Sequence, residues 1–198
     1  MTSFTVSRRR FIQTAGAASV LAPTAVKGYS GAEMAPMGSL QAPQVGMSKW
    51  ELDTPSLCVD LDALEANLTT MQRTVSTNGI ASRPHAKTHK CPAIARLQLE
   101  AGAVGICTAK ISEAVAMFEH GIEQLLMTTT NVTPFKIERA MSLRKSCAGF
   151  IQATDTPENA RLLSDAAQAA GVVADVVVDV DSGGHRTGIT PGQPALAL

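Results

Sequence analysis

Between Asp53 and Val180 the apolar positions of this chain alternate between two rhythms, one helical and one extended. Leu64, Leu68, Met71 and Val75 recur at intervals of four, three and four, which places them on one face of a helix that Asn78-Gly79 closes. Further helices are predicted from Pro92, with Ile94 and Leu97 inward and Gly102 as its stop, and over 113–120, with Ser112 as cap and Gly121 as end. Two more begin at the Thr133-Pro134 and Thr156-Pro157 pairs and run to about Lys145 and to Gly171. A cap hydroxyl satisfies a free N–H, a first-turn proline has none to lose, and a terminal glycine reaches the left-handed conformation. Short apolar runs between these helices predict strands over 56–60, 82–89, 104–109, 124–129, 148–153 and 174–180.

Strands that alternate with helices pair in parallel through crossovers. Strand starts at Arg83, Val104, Gln124, Ala148 and Ala174 lie 21, 20, 24 and 26 residues apart. So even a beat predicts an α/β fold of the (β/α)8 TIM-barrel type, and the GxGxxG fingerprint of a dinucleotide-binding sheet is absent. Five of the eight units are present, and three more would take about 70 residues at this spacing. An open five-stranded piece leaves raw sheet edges and half a core. Residues 50–198 are therefore expected to be the front of a larger, truncated enzyme that starts folding near Trp50.

Ahead of Trp50 the periodicity stops. Ser7-Arg8-Arg9-Arg10-Phe11-Ile12 precedes a charge-free stretch to Val26 with small residues over 22–25. A basic start, a mild apolar middle and a small-residue exit make 1–26 a signal peptide resembling the twin-arginine type. It predicts export to a bacterial periplasm, or a cytoplasmic protein where the signal does not act; an amphipathic helix or a basic arm is the alternative. Residues 27–49, rich in Gly, Pro, Met and Ser, read as a flexible linker.

Composition narrows the function classes. The 198 residues carry 17 Lys+Arg against 17 Asp+Glu, so neither a nucleic-acid coat nor a polybasic membrane binder is indicated. No window reaches the ~20 apolar residues of a spanning helix. Cys58, Cys91, Cys107 and Cys147 lack the CxxC spacing of a zinc ribbon or a disulfide framework.

Chemistry concentrates in Arg83-Pro84-His85-Ala86-Lys87-Thr88-His89-Lys90. In a strand Arg83, His85, Lys87 and His89 share one face, and Pro84, Ala86 and Thr88 share the other. With the small set toward the helices, the basic set enters the barrel, where an unpaired charge costs several kcal/mol and is expected to meet a ligand. Lys87 falls near the carboxyl end of its strand, the catalytic end of such barrels. Burial among cations would make it an amine nucleophile toward a carbonyl, such as a keto substrate or pyridoxal phosphate (PLP). An exposed basic loop is the alternative; a zinc pair of His85 and His89 is disfavoured, because four-residue spacing serves one metal on a helix.

A second cluster ends the last strand, Asp175-Val-Val-Val-Asp179-Val-Asp181-Ser-Gly183-Gly184-His185-Arg186-Thr-Gly188. Val176, Val178 and Val180 are expected toward the helices, with Asp175, Val177, Asp179 and Asp181 inward to balance the cations. The Gly pair would bring His185 and Arg186 to the top of the barrel, where the fork of Arg186 suits a carboxylate or phenolate. A glycine-rich turn with a surface arginine is the other reading.

Together with Thr54-Pro-Ser-Leu-Cys-Val-Asp60-Leu-Asp-Ala-Leu, the Arg83–Lys90 octet resembles the opening of D-threonine aldolases and eukaryotic-type D-serine dehydratases, fold-type III PLP enzymes related to alanine racemase. The resemblance runs from about Asp53 to Ile189. It implies that Lys87 carries PLP, with Arg83, His85 and Arg186 as cofactor neighbours, and that His89 and Arg186 meet the substrate. It further implies that the strand over 56–60 belongs to a C-terminal β domain. That domain, missing here, would hold a divalent metal (Zn or Mn), so none is expected among the residues of this chain. The activity implied is a PLP-dependent lyase on D-β-hydroxy amino acids, in a homodimeric full-length parent with no nucleic-acid partner, and no turnover is expected of this form. A racemase on the same barrel, a PLP-binding protein without turnover and an unfolded remnant are the alternatives.

Overall fold

The computed structural model describes residues 44–198, so the signal-peptide reading and most of the linker lie outside the described residues. Two compact units divide the chain, Met1–Thr70 and Met71–Leu198. In the first, a 3-10 turn, Lys49–Glu51, is capped by Ser48, and Trp50 is 86% exposed. Residues 56–60 are not a strand. Asp60 instead caps helix α1, Leu61–Thr77: its carboxylate accepts the Ala63 N–H at 3.0 Å and its carbonyl the Leu64 N–H. No described residue before Ala86 is buried, so the core starts well after Trp50.

In the second unit, α1 turns Gln72 inward in place of Met71, which is 62% exposed. The Gln72 side chain donates to the Gly102 carbonyl at 3.2 Å and accepts from the Ser82 hydroxyl at 2.8 Å. The order after it is α2 (Pro92–Glu100), β1 (Ile106–Thr108), α3 (Ile111–Glu119), β2 (Leu125–Met127), α4 (Pro134–Ser146), β3 (Phe150–Thr154), α5 (Pro157–Ala170), β4 (Asp175–Val178) and α6 (Gln193–Leu196). All four strands are parallel, in the order β1-β2-β3-β4. Residues 82–86 extend the sheet beyond β1: Val104 N–H donates to Ser82, Cys107 N–H to Pro84, and Ala86 N–H to Cys107. Each strand thus lies beside its successor without the reversal of a doubly wound sheet, which is barrel winding.

One side of the sheet carries the core. Ile106, Leu125, Met127 and Phe150 pack against Ile111, Ala114, Met117, Ile137, Met141 and Leu163. Burial of each large side chain contributes about 1.5–3 kcal/mol. Register puts Cys107, Leu126, Ile151 and Val177 on the opposite, inner face. Val176, Val177 and Val178 are 40–46% exposed, as befits a strand at the sheet's edge.

Boundaries differ where side chains override the pattern. Helix α3 starts one residue before Ser112, and the Glu113 carboxylate, not a serine hydroxyl, takes the free N–H groups of Ala109 and Lys110. Thr156 caps α5 through the Asn159 N–H, and Gly171 ends it at φ 66°. Among the described residues no helix is long and apolar enough to cross a membrane.

Candidate functional site

The inner face is built from the first extended segment outward. His85 bridges Cys107 in register, so its side chain stands on the inner face while Ala86, 1% exposed, joins the core behind it. Alternation also puts Leu126 and Thr128 inward. His85 Nε2 lies 3.1 Å from Thr128 Oγ1, and that hydroxyl lies 3.2 Å from the Thr108 carbonyl. On the other side of the ring, the Lys87 N–H donates to His85 Nδ1 at 3.2 Å. Burial, reinforced by the Lys87 charge, holds the His85 imidazole below its ordinary pKa, with Glu113 opposing.

The strand stops at His85. Residues 86–89 form a turn closed by the Lys90 N–H on the Ala86 carbonyl at 2.7 Å, with Lys90 at φ 48°. Lys87 therefore leaves the sheet at its carboxyl end, next to His85, and is exposed, not enclosed as expected. His89 lies in that turn, off the strand. Half-buried at the start of α2, it accepts the Cys91 N–H on Nδ1 at 3.0 Å. Its Nε2 and Gln98 Oε1 are both buried without a hydrogen-bond partner. Burial lowers the His89 pKa. Lys90 turns to Glu113, 3.6 Å away, which ties the turn to the start of α3.

Arg83 is also placed differently from the expectation. Its guanidinium lies over Gly105, where a Cβ would stand 2.2 Å from Nη1, and it donates to the Gln124 carbonyl at 3.3 Å. These groups precede β1 and β2, so Arg83 braces the amino end of the sheet, at the other end of its segment from Lys87.

The second cluster keeps its predicted faces: Val176 and Val178 align with buried Gln152 and Thr154, and Asp175 and Val177 with Ile151 and Ala153. The acidic groups serve other partners than the first segment's cations. Asp175 pairs with Arg144 of α4 at 2.8 Å. Asp181 accepts the N–H groups of Gly183 and His185 at 2.9 and 3.0 Å and pairs with His185 Nδ1 at 3.2 Å, and these backbone bonds hold its pKa low. Its carboxylate thus shapes the loop that carries exposed Arg186, which lines a shallow hollow with Asp179, Asp181 and Thr187. Gly188, at φ 95°, lets this loop close: a Cβ would sit 2.5 Å from the Asp181 nitrogen. Four spacings of about 4.8 Å separate the first segment from β4 along the sheet, about 19 Å. In a closed eight-stranded barrel the first and fifth strands would face one another, which would set the Lys87 turn and the Arg186 loop on opposing walls.

Sequence reasoning missed Thr128 and Glu113, because a lone threonine after a strand and one glutamate in a helix carry no periodic signal. Among the described residues no group of three or more His, Cys, Asp or Glu could hold a metal ion, and the cysteines are free.

This barrel-wound parallel sheet has known counterparts. The family model "Alanine racemase, N-terminal domain" matches residues 59–198, and the chain belongs to that family. It is 41% identical over 147 residues to a D-threonine aldolase of Arthrobacter sp, covering 74% of this chain and 38% of that protein. To a 3-hydroxy-D-aspartate aldolase of Paracoccus denitrificans it is 38% identical over 154 residues, 77% of this chain and 40% of the relative. A D-threo-3-hydroxyaspartate dehydratase of Delftia sp. (strain HT23) is 30% identical over 147 residues, 74% of this chain and 38% of the relative. The crystal structure of D-threonine aldolase from Filomicrobium marinum superposes with a TM-score of 0.70 at 43% identity, covering 74% of this chain and 39% of that one. The chain spans about two fifths of the length of these relatives.

Proposed function

We propose that this chain supplies the cofactor-holding half of a PLP-dependent lyase that acts on D-3-hydroxy amino acids. The observation that carries the reading is the Lys87 turn: an amine at the carboxyl end of the first barrel segment, beside an imidazole whose Nδ1 accepts the lysine's own N–H. The aldolase and dehydratase names of the relatives supply the reaction class, and the higher identity to the two aldolases favours carbon–carbon cleavage over loss of water.

The donor set fits PLP. Lys87 is the amine that would hold its aldehyde, neutral His85 lines the adjoining wall, and the fork of Arg186 on the opposing wall suits an anionic oxygen of cofactor or substrate. Arg83 is committed to Gln124 at the amino end of the sheet and is not assigned to the cofactor, and His89, its Nδ1 held by the Cys91 N–H and its Nε2 buried, is not assigned to the substrate. When bound, PLP supplies an electron sink for bond cleavage next to the amino group. The chain's own part is to fix the backbone of the amine-bearing residue, keep a neutral ring beside it and present a cation opposite. The described residues do not fit a divalent metal, and no step is assigned to one. Export by the twin-arginine route and pairing with a second copy belong to the same proposal and rest on the sequence.

The test is PLP titration of the chain and of Lys87→Ala, followed by product analysis of the full-length parent on D- and L-threonine. Bound-PLP absorption lost in Lys87→Ala, with glycine and acetaldehyde from the D isomer alone, supports the reading. Ammonia and 2-oxobutanoate would make it a dehydratase, and racemised threonine would overturn the lyase assignment.

A further inference from the structure

The hydrogen bonds around His85 have a direction that the Lys87 end dictates. At one end, Thr128 Oγ1 lies 3.2 Å from the Thr108 carbonyl, which can only accept, and 3.1 Å from His85 Nε2, so its one proton can serve either. At the other end, the Lys87 backbone N–H can only donate, and it meets Nδ1 at 3.2 Å, which must offer a lone pair. Imidazolium and the Nδ1-protonated tautomer would both set a hydrogen on Nδ1 against that N–H; the remaining state carries its hydrogen on Nε2 and gives it to Thr128 Oγ1, whose own proton then goes to the Thr108 carbonyl. One state satisfies every contact: the neutral ring protonated on Nε2.

Two strands are joined by this chain. Thr128 follows β2 directly, its N–H already pairs with the Thr108 carbonyl at 2.9 Å, and the ring spans from there to the turn after residue 85. Apart from this bond, that turn is closed by the Lys90 N–H and held by the Lys90–Glu113 ion pair, both on the far side of Lys87.

We propose that Thr128 is a positioning residue for Lys87, acting through His85, which it locks as the Nε2-protonated neutral tautomer so that Nδ1 anchors the lysine's backbone. The role rests on Lys87 being the cofactor lysine, whereas the tautomer does not depend on it. Glu113 and Lys90 would keep the turn closed without Thr128, so its loss loosens the lysine without unfolding the sheet.

The experiment uses the full chain labelled with 15N-histidine. Long-range 1H–15N correlation at pH 7.5, with His85 assigned by comparison with His85→Gln, should show the Nε2-protonated pattern. In Thr128→Val, which keeps shape and loses both polar roles, His85 should become a tautomer mixture and the apparent Kd for PLP should rise about five- to tenfold, the effect of one neutral hydrogen bond. Thr128→Ser should restore both within about twofold, which a purely packing role for the methyl group would not allow. An Nδ1-protonated or doubly protonated His85 in the wild type overturns the proposal, and so does a Thr128→Val protein indistinguishable from wild type by both measures. If Thr128→Val fails to fold by circular dichroism, the wild-type tautomer and the Thr128→Ser comparison decide. Failure of Lys87 to hold PLP is separately visible: Lys87→Ala would then bind PLP as wild type does, whatever tautomer His85 shows.

Discussion

Replacing Gly105 by alanine tests whether the inner face is packed as described. A Cβ there would stand 2.2 Å from Arg83 Nη1, 2.7 Å from its Cζ and 2.7 Å from the Gln124 carbonyl oxygen. The arginine end can swing away, at the loss of its bond to Gln124. The carbonyl cannot, because it also accepts the Ile106 N–H at 2.8 Å, one of the bonds that join β1 to β2. Overpacking of this kind costs about 1–3 kcal/mol, and the lost hydrogen bond adds about 1 kcal/mol. The expected destabilisation of about 2–4 kcal/mol corresponds to a fall in Tm of roughly 4–16 °C for a domain of this size. Urea unfolding followed by circular dichroism measures it, with Gly184→Ala as the control, since nothing lies within 4 Å of a Cβ there and its φ is outside the left-handed region. Arg83→Ala should relieve part of the clash, so the double variant should lose less than the two single losses combined. Equal stability of Gly105→Ala and Gly184→Ala would refute the packing.

Two other outcomes follow from the geometry. Arg144 donates to the carbonyls of Val173, Ala148 and Phe150 and pairs with Asp175, so Arg144→Ala should cost about 2–3 kcal/mol in urea unfolding, and Arg144→Lys, without the planar fork, should recover less than half. Because burial holds His85 and His89 below the ordinary imidazole value of 6.5, the unfolded chain binds more protons than the folded one between their folded pKa values and 6.5. Stability is therefore full above that window and falls as pH drops through it; Tm measured from pH 7.5 to 5 should show this, more weakly in the His85→Gln/His89→Gln variant, and a Tm that rose on acidification would contradict it.

Much of this was legible in the residues. The strand starts gave the barrel order because each run is apolar, short and followed by a capped helix, and alternation put His85 and Arg83 on the inner face. Alternation failed at Lys87 and His89: it assumes an extended chain, and the turn closed by Lys90 at φ 48° ends the strand at His85. Charge balance failed at Asp175 because Arg144, 31 positions earlier, reaches it from α4, a contact no local pattern encodes. Gly105 and Thr128 were invisible for a related reason. Their roles depend on a neighbouring strand, and sequence spacing says nothing of what lies 4.8 Å to the side.

The central claim is that Lys87 is the amine that holds the aldehyde cofactor, and borohydride reduction of the PLP-loaded chain followed by peptide mass mapping tests it most directly. The added pyridoxyl mass is expected on the peptide containing Lys87 and is expected to disappear in Lys87→Ala. A label on Lys90, Lys110 or any other lysine, or no label at all, would contradict it.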